Sequence, residues 1–204
     1  MFYATDTNDH GLRHDPFKAL VVRPTGWVTA MNTKGEINLS PYLFFNQVSD
    51  RPHMVAFSSD GRKDALAFIE ETGEFVCNLA SHDLREAMNM TSAGLPRGTS
   101  EMEHAGLEAA PSRLVRPPRV KGAATALECR WLQTVPLAPL NGGDARYNLV
   151  IGQVVGIYID DRFVKDGLVD TGAMRPILRA GYRDYYVVTP ENRFSMTRPA
   201  GGGG

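Results

Sequence analysis

FSSDGRKDALAFIEETGEF, residues 57–75, is the stretch of sequence from which the fold can be worked out. An apolar run ends in two serines, and a polar loop with Gly61 follows, where glycine allows a tight backbone turn. Residues 64–72 then place apolar side chains at helical spacing. We predict that Asp64 caps the N-terminus of this helix and that Gly73 ends it in a left-handed conformation. The stretch therefore predicts a strand that leads through a tight loop into a short helix.

The loop gathers groups that suit an anion. A helix N-terminus presents unpaired N–H groups and partial positive charge. Ser58 and Ser59 can donate hydroxyl hydrogen bonds, Arg62 can hold two oxygens of a phosphate, and Lys63 adds a point charge. The spacing matches neither a Walker A loop nor a Rossmann glycine motif. On local chemistry alone, a solvated surface turn is the simpler interpretation, and a phosphate site is the alternative.

Around this stretch the chain is rich in residues that favour strands. Strands are predicted at 25–31, 53–59, 74–80, 123–133, 148–159 and 185–189. Besides the helix at 64–72, we predict a helix at 83–91 and a helical turn at 100–105, inside an irregular excursion at 92–122. Gly152 and Gly156 lie within a predicted strand and indicate a bend or a close backbone approach. The fold class is therefore mainly β, a closed or nearly closed β-barrel with peripheral helices.

The composition is that of an ordinary globular protein. The 204 residues carry a formal net charge of -1, and 43% are hydrophobic. We expect one domain over residues 1–204, with an N-terminal extension at 1–20 and a flexible glycine tail at 200–204. The near-neutral charge argues against nucleic-acid binding. There is no apolar run of about 20 residues and no signal-peptide pattern, so we expect a cytoplasmic protein without a membrane span.

The segment NLSPYLFFNQVSDRP, residues 38–52, gives the predicted phosphate site a context. Asn38, Leu39 and Ser40 can offer polar groups to a flat heterocycle, and the aromatic residues after them can supply an apolar wall. Taken singly, those aromatic residues are more typical of a core. A phosphate site beside a shelf of this kind is what a mononucleotide cofactor needs.

Together these segments resemble the flavin reductase-like family, which has the FMN-binding split-barrel fold. The matching segments follow one another in the expected order from residue 23 to about residue 199. They are RPTGWVTAMN (23–32), NLSPYLFFNQVSDRP (38–52), FSSDGRKD (57–64), ETGEFVCNLA (71–80), AGL (105–107), PPRVKG (117–122), ALEC (126–129), NLVIGQVV (148–155) and RAGYRDYY (179–186).

The resemblance implies a homodimer that binds FMN without a covalent link. It places the flavin ring against Asn38, Leu39 and Ser40, with Asn46 close by and Ser40 as the expected neighbour of flavin N5. The phosphate would be held by Ser58, Ser59, Arg62 and Lys63, and Asp64 completes the predicted cofactor site as the cap of the helix. Many relatives have a threonine where this chain has Ala65, which removes one possible phosphate donor. Arg179 to Tyr182 would lie near the flavin or the partner subunit.

The implied activity is flavin reduction by NADH or NADPH, followed by electron transfer to a second flavin, an oxygenase partner or another acceptor. No catalytic residue is predicted, because the flavin itself carries out the redox chemistry. No metal site is predicted, since the five histidines lack ligand spacing. Two alternatives stay open: an FMN-binding electron carrier without enzymatic activity, and a split barrel that binds another cofactor such as haem or pyridoxal phosphate.

Overall fold

The computed structural model describes residues 1–199, and the predicted glycine tail at 200–204 lies outside the described residues. The strands are β1 Arg23–Pro24, β2 Gly26–Met31, β3 Ile37–Tyr42, β4 Phe45–Asp50, β5 His53–Asp60, β6 Glu74–Leu79, β7 Ala109–Ala110, β8 Arg119–Val120, β9 Thr125–Leu137, β10 Tyr147–Ile159, β11 Val164–Lys165, β12 Leu168–Val169, β13 Ile177–Arg179 and β14 Tyr185–Val187. The helices are α1 Asp64–Thr72, α2 Arg85–Met90, α3 Glu101–His104 and α4 Thr171–Met174, with short 3-10 turns at Phe17–Ala19, Asp161–Phe163 and Pro190–Asn192.

The main sheet has seven antiparallel strands in the order β3-β2-β6-β9-β10-β5-β4. Its two edge strands, β3 and β4, are consecutive in sequence and separated only by Leu43 and Phe44. No ladder joins them in the described part of the chain. Because two residues cannot span a flat seven-stranded sheet, the sheet must curl until its edges meet. The result is a barrel that stays open along one seam.

The core of the barrel is built from the strand residues that point inward and from one face of α1. Its largest fully buried members are aromatic or branched, as expected for a close-packed interior. This cluster contains Val28, Ala30, Tyr42, Val55, Phe57, Ala65, Leu66, Phe68, Ile69, Phe75, Cys77, Cys129 and Val150. The helix α1 therefore packs on the barrel core and brings its N-terminus to the seam side of β5.

Most of the predicted strands are confirmed to within a few residues, including the long pair β9 and β10. Three further sheets, β1-β13-β14, β7-β8 and β11-β12, are small and were only partly anticipated. The strands β3 and β4 were not predicted, since residues 38–52 were interpreted only as a lining for a ligand. Both are edge strands, where Pro41 is tolerated because its missing N–H need not enter a central ladder.

The helix predictions are confirmed in position and corrected in one detail. Gly73 ends α1 with φ of 74°, as predicted. Asp64 was expected to be the N-cap, but the cap is Lys63, whose side chain makes no capping bond. Asp64 is instead the first helical residue, where its negative charge still favours the positive end of the helix. The predicted helix at 83–91 is the shorter α2, and the turn at 100–105 contains α3.

The glycines of β10 confirm the predicted close approach. A Cβ atom on Gly152 would lie 2.3 Å from Cζ of Phe75, in the core of the barrel. The β10–β9 register shifts next to Gly152 and again before Gly156. These bulges bend the longest strand pair, which helps the sheet to curl.

Cys77 and Cys129 are buried free thiols. No helix in residues 1–199 combines the length and the apolar character that a bilayer crossing requires. Among the same residues, no three metal-ligating side chains come together.

Candidate functional site

A cleft of about 490 Å³ lies at the seam of the barrel. One wall is β3 with the turn that follows it, and another is the end of β5 with the start of α1. The segment after α2, the helix α3 and the start of β10 complete the cleft. Its lining residues are Lys18, Asn38, Ser40, Pro41, Tyr42, Leu43, Phe44, Ser58, Asp60, Lys63, Asp64, Thr91, Ser92, Ala93, Gly94, Leu95, Glu101 and Tyr147.

One end of the cleft is formed by the N-terminus of α1. The first hydrogen bond of this helix runs from Ala67 N to Lys63 O at 3.1 Å. The three N–H groups that precede it, at residues 64–66, are left without a partner inside the helix. Lys63 lines the cleft and makes no salt bridge within residues 1–199. This end therefore combines backbone donors, the positive pole of a nine-residue helix and one uncommitted ammonium group.

The acidic residues at this end are already matched by arginines. Asp60 accepts two hydrogen bonds from Arg146, at 2.9 and 2.8 Å. These bonds lower the pKa of Asp60, and the positive charges of Arg146 and Lys63 lower it further. Asp64 pairs with Arg97 at 3.5 Å. Because each carboxylate has a cation beside it, neither strongly opposes an anion at the helix end.

Two predicted phosphate residues lie outside the lining of the cleft. The guanidinium of Arg62 is exposed and paired with Glu70 along the helix. Ser59 is fully buried, and its hydroxyl donates to Gly61 O at 2.8 Å. Ser58, the neighbouring strand residue, points the other way and lines the cleft.

The opposite wall carries a buried polar group that the sequence did not reveal as part of the site. Glu101 in α3 is 8% exposed. It accepts hydrogen bonds from Asn38 Nδ2 at 2.8 Å and from Leu39 N at 3.0 Å. Burial raises the pKa of Glu101, and the hydrogen bond from Leu39 N partly offsets this. The carboxylate thus fixes the first half of β3 against the 91–101 segment.

These bonds determine what the β3 wall offers to a ligand. The amide nitrogen of Asn38 is used by Glu101, and its oxygen accepts from Ser40 Oγ at 3.3 Å. Asn38 and Ser40 line the cleft, while the side chain of Leu39 belongs to a core cluster on the other face of the strand. The wall therefore presents the Asn38 carbonyl oxygen and the Ser40 hydroxyl.

Asn46 lies apart from the cleft. It is exposed on β4 and lines a second cavity of about 230 Å³ between β4 and β13. Of the nine residues predicted for the site, the structure brings five to the cleft: Asn38, Ser40, Ser58, Lys63 and Asp64. The side chains of Leu39, Asn46, Ser59 and Arg62 do not line it.

A buried hydroxyl gives an independent indication that the cleft is built for a ligand. Tyr42 lines the cleft and is 7% exposed, and its Oη has no hydrogen-bond partner in residues 1–199. Ser59 lies close to this hydroxyl, and its own proton is donated to Gly61 O. Burial raises the pKa of Tyr42, so the phenol stays protonated. Buried polar atoms without partners are rare and are costly unless a ligand or water satisfies them.

A match to the flavin reductase like domain covers residues 19–177, which include every cleft residue except Lys18. The chain belongs to the flavin reductase-like family. The predicted family and its mainly β, split-barrel fold are thereby confirmed.

Solved structures of similar proteins agree with this assignment. Component B of nitrilotriacetate monooxygenase from Bacillus cereus is 28% identical, with a TM-score of 0.84 over 96% of this chain and 98% of its own. The 2-nitrobenzoate 2-nitroreductase of Pseudomonas fluorescens is 25% identical, with a TM-score of 0.84 over 98% of this chain and 97% of its own. A candidate flavin reductase with a split barrel domain, from Shewanella frigidimarina, shares the fold at 22% identity, with a TM-score of 0.82 over 97% of this chain and 100% of its own.

Several residues that line the cleft were not predicted from the sequence. Glu101, the segment at 91–95 and Tyr147 all line the cleft, but none was predicted for the site. A helical turn was predicted there, and Ser100 caps it by accepting from Glu103 N at 3.4 Å. Which acidic residue of that turn faces β3 depends on how the excursion folds back, and no local pattern encodes that.

Proposed function

We propose that this protein binds FMN in the cleft and acts as an NAD(P)H-dependent flavin oxidoreductase. The observation that carries the proposal is the juxtaposition, in one flavin reductase-like cleft, of an anion site at the α1 N-terminus with the polar β3 wall. A phosphate site and a polar surface for a flat heterocycle, together in a cleft of about 490 Å³, match the two ends of a flavin mononucleotide.

At the phosphate end, Ser58 and the first N–H groups of α1 donate hydrogen bonds, and Lys63 supplies the opposite charge. Helix N-termini are well suited to this task. Arg62 is paired with Glu70 and contributes a nearby positive charge instead of a bidentate grip. Ser59 and Asp64 stabilise the phosphate site indirectly. Ser59 donates to Gly61 O in the loop, and Asp64 lies in the first turn of the helix.

At the ring end, the Asn38 carbonyl oxygen accepts from an N–H on the ring edge, and the Ser40 hydroxyl turns from Asn38 to donate to a ring nitrogen or oxygen. Glu101 holds Asn38 in this orientation by taking its amide nitrogen. The backbone N–H of Leu39 is also taken by Glu101, so it is not a ring donor. The unpartnered hydroxyl of Tyr42 gains a hydrogen-bond partner when the cleft is filled.

A bound flavin supplies hydride and electron transfer, and the protein supplies binding and orientation. We propose NADH or NADPH as the donor. We propose a second flavin, an oxygenase partner or another small acceptor as the recipient. The similar monooxygenase component and the similar nitroreductase support an oxidoreductase role of this kind.

We also propose that the protein works as a homodimer. Apolar side chains are exposed on the two strands that flank β5 in the sheet, Val48 on β4 and Ile157 on β10, and each is 55% accessible. Asn46 lies on the same strand as Val48, so it would meet the partner subunit and not the cleft of its own chain.

The test is an absorbance spectrum of the purified protein after reconstitution with FMN, followed by anaerobic titration with NADH and with NADPH. We expect the two flavin bands, bleached by one nicotinamide. Protein that stays colourless would reject the proposal. A haem or pyridoxal phosphate spectrum would identify the other cofactor, and bound FMN without nicotinamide oxidation would indicate an electron carrier.

A further inference from the structure

A second groove adjoins the phosphate end of the cleft. It has a volume of about 470 Å³, and its lining shares Lys18, Phe44, Ser58 and Tyr147 with the cleft. Shared walls mean that the two spaces are continuous. A ligand anchored at the helix N-terminus can therefore extend from the cleft into this groove.

The groove continues from the anion site itself. Tyr147 is the ladder partner of Asp60 at the end of β5, and Gly61 N donates to Arg146 O at 2.8 Å. The first residues of β10 therefore lie beside the loop that leads into α1. A chain of atoms leaving a phosphate at Lys63 can reach the groove past Ser58 and Tyr147, which line both spaces.

The walls of the groove combine apolar and aromatic side chains with Asp144 and Arg146. The rings of Phe44 and Tyr147 lie perpendicular with centroids 5.9 Å apart. Phe17 and Leu137 complete the walls while remaining 64% and 44% exposed. Exposed aromatic and aliphatic groups around a groove of this size suit a planar ring, because stacking on aromatic side chains tolerates any flat heterocycle.

The charged groups that line the groove are Lys18, Asp144 and Arg146, and Arg146 is paired with Asp60. Lys18 lies at the junction of the two spaces, and its ammonium group has no ion-pair partner in residues 1–199. Its segment is held there by Arg23, which donates to Lys18 O at 3.0 Å and to Leu43 O at 3.0 Å. One phosphate at Lys63 and a second at Lys18 would each meet an uncommitted cation.

We propose that this groove binds the adenosine half of a flavin dinucleotide, so that the protein binds FAD more tightly than FMN. The proposal rests on the proposed flavin site, because both compounds carry the same ring and ribityl chain, and the phosphate that is terminal in FMN is joined to a second phosphate in FAD. The second phosphate then meets Lys18, and the adenine stacks against Phe44, Tyr147 and Phe17.

The test measures binding of FMN and of FAD to the cofactor-free protein by isothermal titration calorimetry. Since one stacked base is worth about 1–3 kcal/mol, we expect FAD to bind about tenfold more tightly. Phe17 and Leu137 line the groove and not the cleft. The variants Phe17→Ala and Leu137→Ala therefore alter the groove alone. Each should weaken FAD several-fold and leave FMN affinity within about twofold. Retained FMN affinity also shows that the variants are folded.

Leu140→Ala is the matched control, because Leu140 is fully exposed and lines neither space. It should leave both affinities unchanged, and Phe17→Tyr should keep the preference for FAD. Equal affinities for FMN and FAD, or equal losses of both in Phe17→Ala, would overturn the proposal and leave the flavin site intact. Failure of both flavins to bind would reject the flavin site and the groove proposal together.

Discussion

Lys63 and Arg62 are adjacent in sequence, yet the structure gives them different surroundings. Lys63 lines the cleft without a salt-bridge partner, whereas Arg62 pairs with Glu70. We expect Lys63→Ala to weaken FMN binding about tenfold, because charge-assisted bonds to phosphate are strong. Arg62→Ala should change affinity only about twofold, because exposed charges outside the site act weakly.

Fluorescence titration of FMN measures both effects. Lys34→Ala, a lysine in the exposed turn between β2 and β3, is the control for loss of a surface charge. Equal losses in the Lys63 and Arg62 variants would mean that Arg62 leaves Glu70 to hold the phosphate.

Glu101 makes stability depend on pH in a direction opposite to that of most carboxylates. Its pKa in the folded protein is raised by burial, so the folded state binds this proton more tightly than the unfolded state. The free energy of unfolding therefore decreases as pH rises from the ordinary glutamate pKa through the raised one. Above that interval the contribution is constant.

Glu101→Gln should remove this dependence. Urea unfolding of both proteins at several pH values between 4 and 8 gives the difference, wild type minus variant, which should fall as pH rises and then level off. A difference that rises with pH would show that Asn38 and Leu39 stabilise the carboxylate more than burial opposes it.

At the scale of elements, the bent strand β10 depends on Gly152, because a Cβ there would meet the ring of Phe75 at 2.3 Å. Overpacking of a core usually costs about 1–3 kcal/mol, and we expect Gly152→Ala to lower the free energy of unfolding by this amount. The double variant with Phe75→Leu should recover part of the loss, because the smaller side chain leaves room. Chemical denaturation measures both, and additive losses would refute the contact.

The helices and strands differ in how clearly the sequence signals them. The helix α1 and the strands β5, β6, β9 and β10 have clear periodicity, apolar runs and glycine boundaries. The strands β3 and β4 lack these signals, because their polar residues face a cleft or solvent and Pro41 interrupts one of them. Edge strands with a ligand-facing side do not show the alternation that a half-buried strand does.

For the whole molecule, the order of motifs predicted the family and the barrel, and the cleft contains predicted residues from both the phosphate loop and the β3 wall. The residues of the predicted phosphate loop, 58–64, are close in sequence, so a local pattern can identify them. Glu101 meets Asn38 across 63 positions of the chain. That contact, like the groove formed by Phe17, Leu137 and Tyr147, is a product of tertiary packing.

The proposed homodimer is a property of the whole molecule and has its own test. Sedimentation at micromolar concentration should give a dimer, and Ile157→Lys should give a monomer, because a charge in an apolar interface is costly. Lys165→Ala, an exposed change on β11, should leave the assembly unchanged. A monomeric wild-type protein would exclude the dimer.

The open seam between β3 and β4 has a mechanical consequence. Everywhere else around the main sheet, neighbouring strands are joined by backbone ladders, so separating them breaks hydrogen bonds. At the seam the backbone of residues 1–199 links the edges through the turn at Leu43 and Phe44, and side chains pack across it, with the rings of Tyr42 and Phe57 4.4 Å apart. Separating the edges along this line would therefore cost side-chain contacts and no ladder hydrogen bond, so the seam is the part of the barrel wall where the backbone resists displacement least.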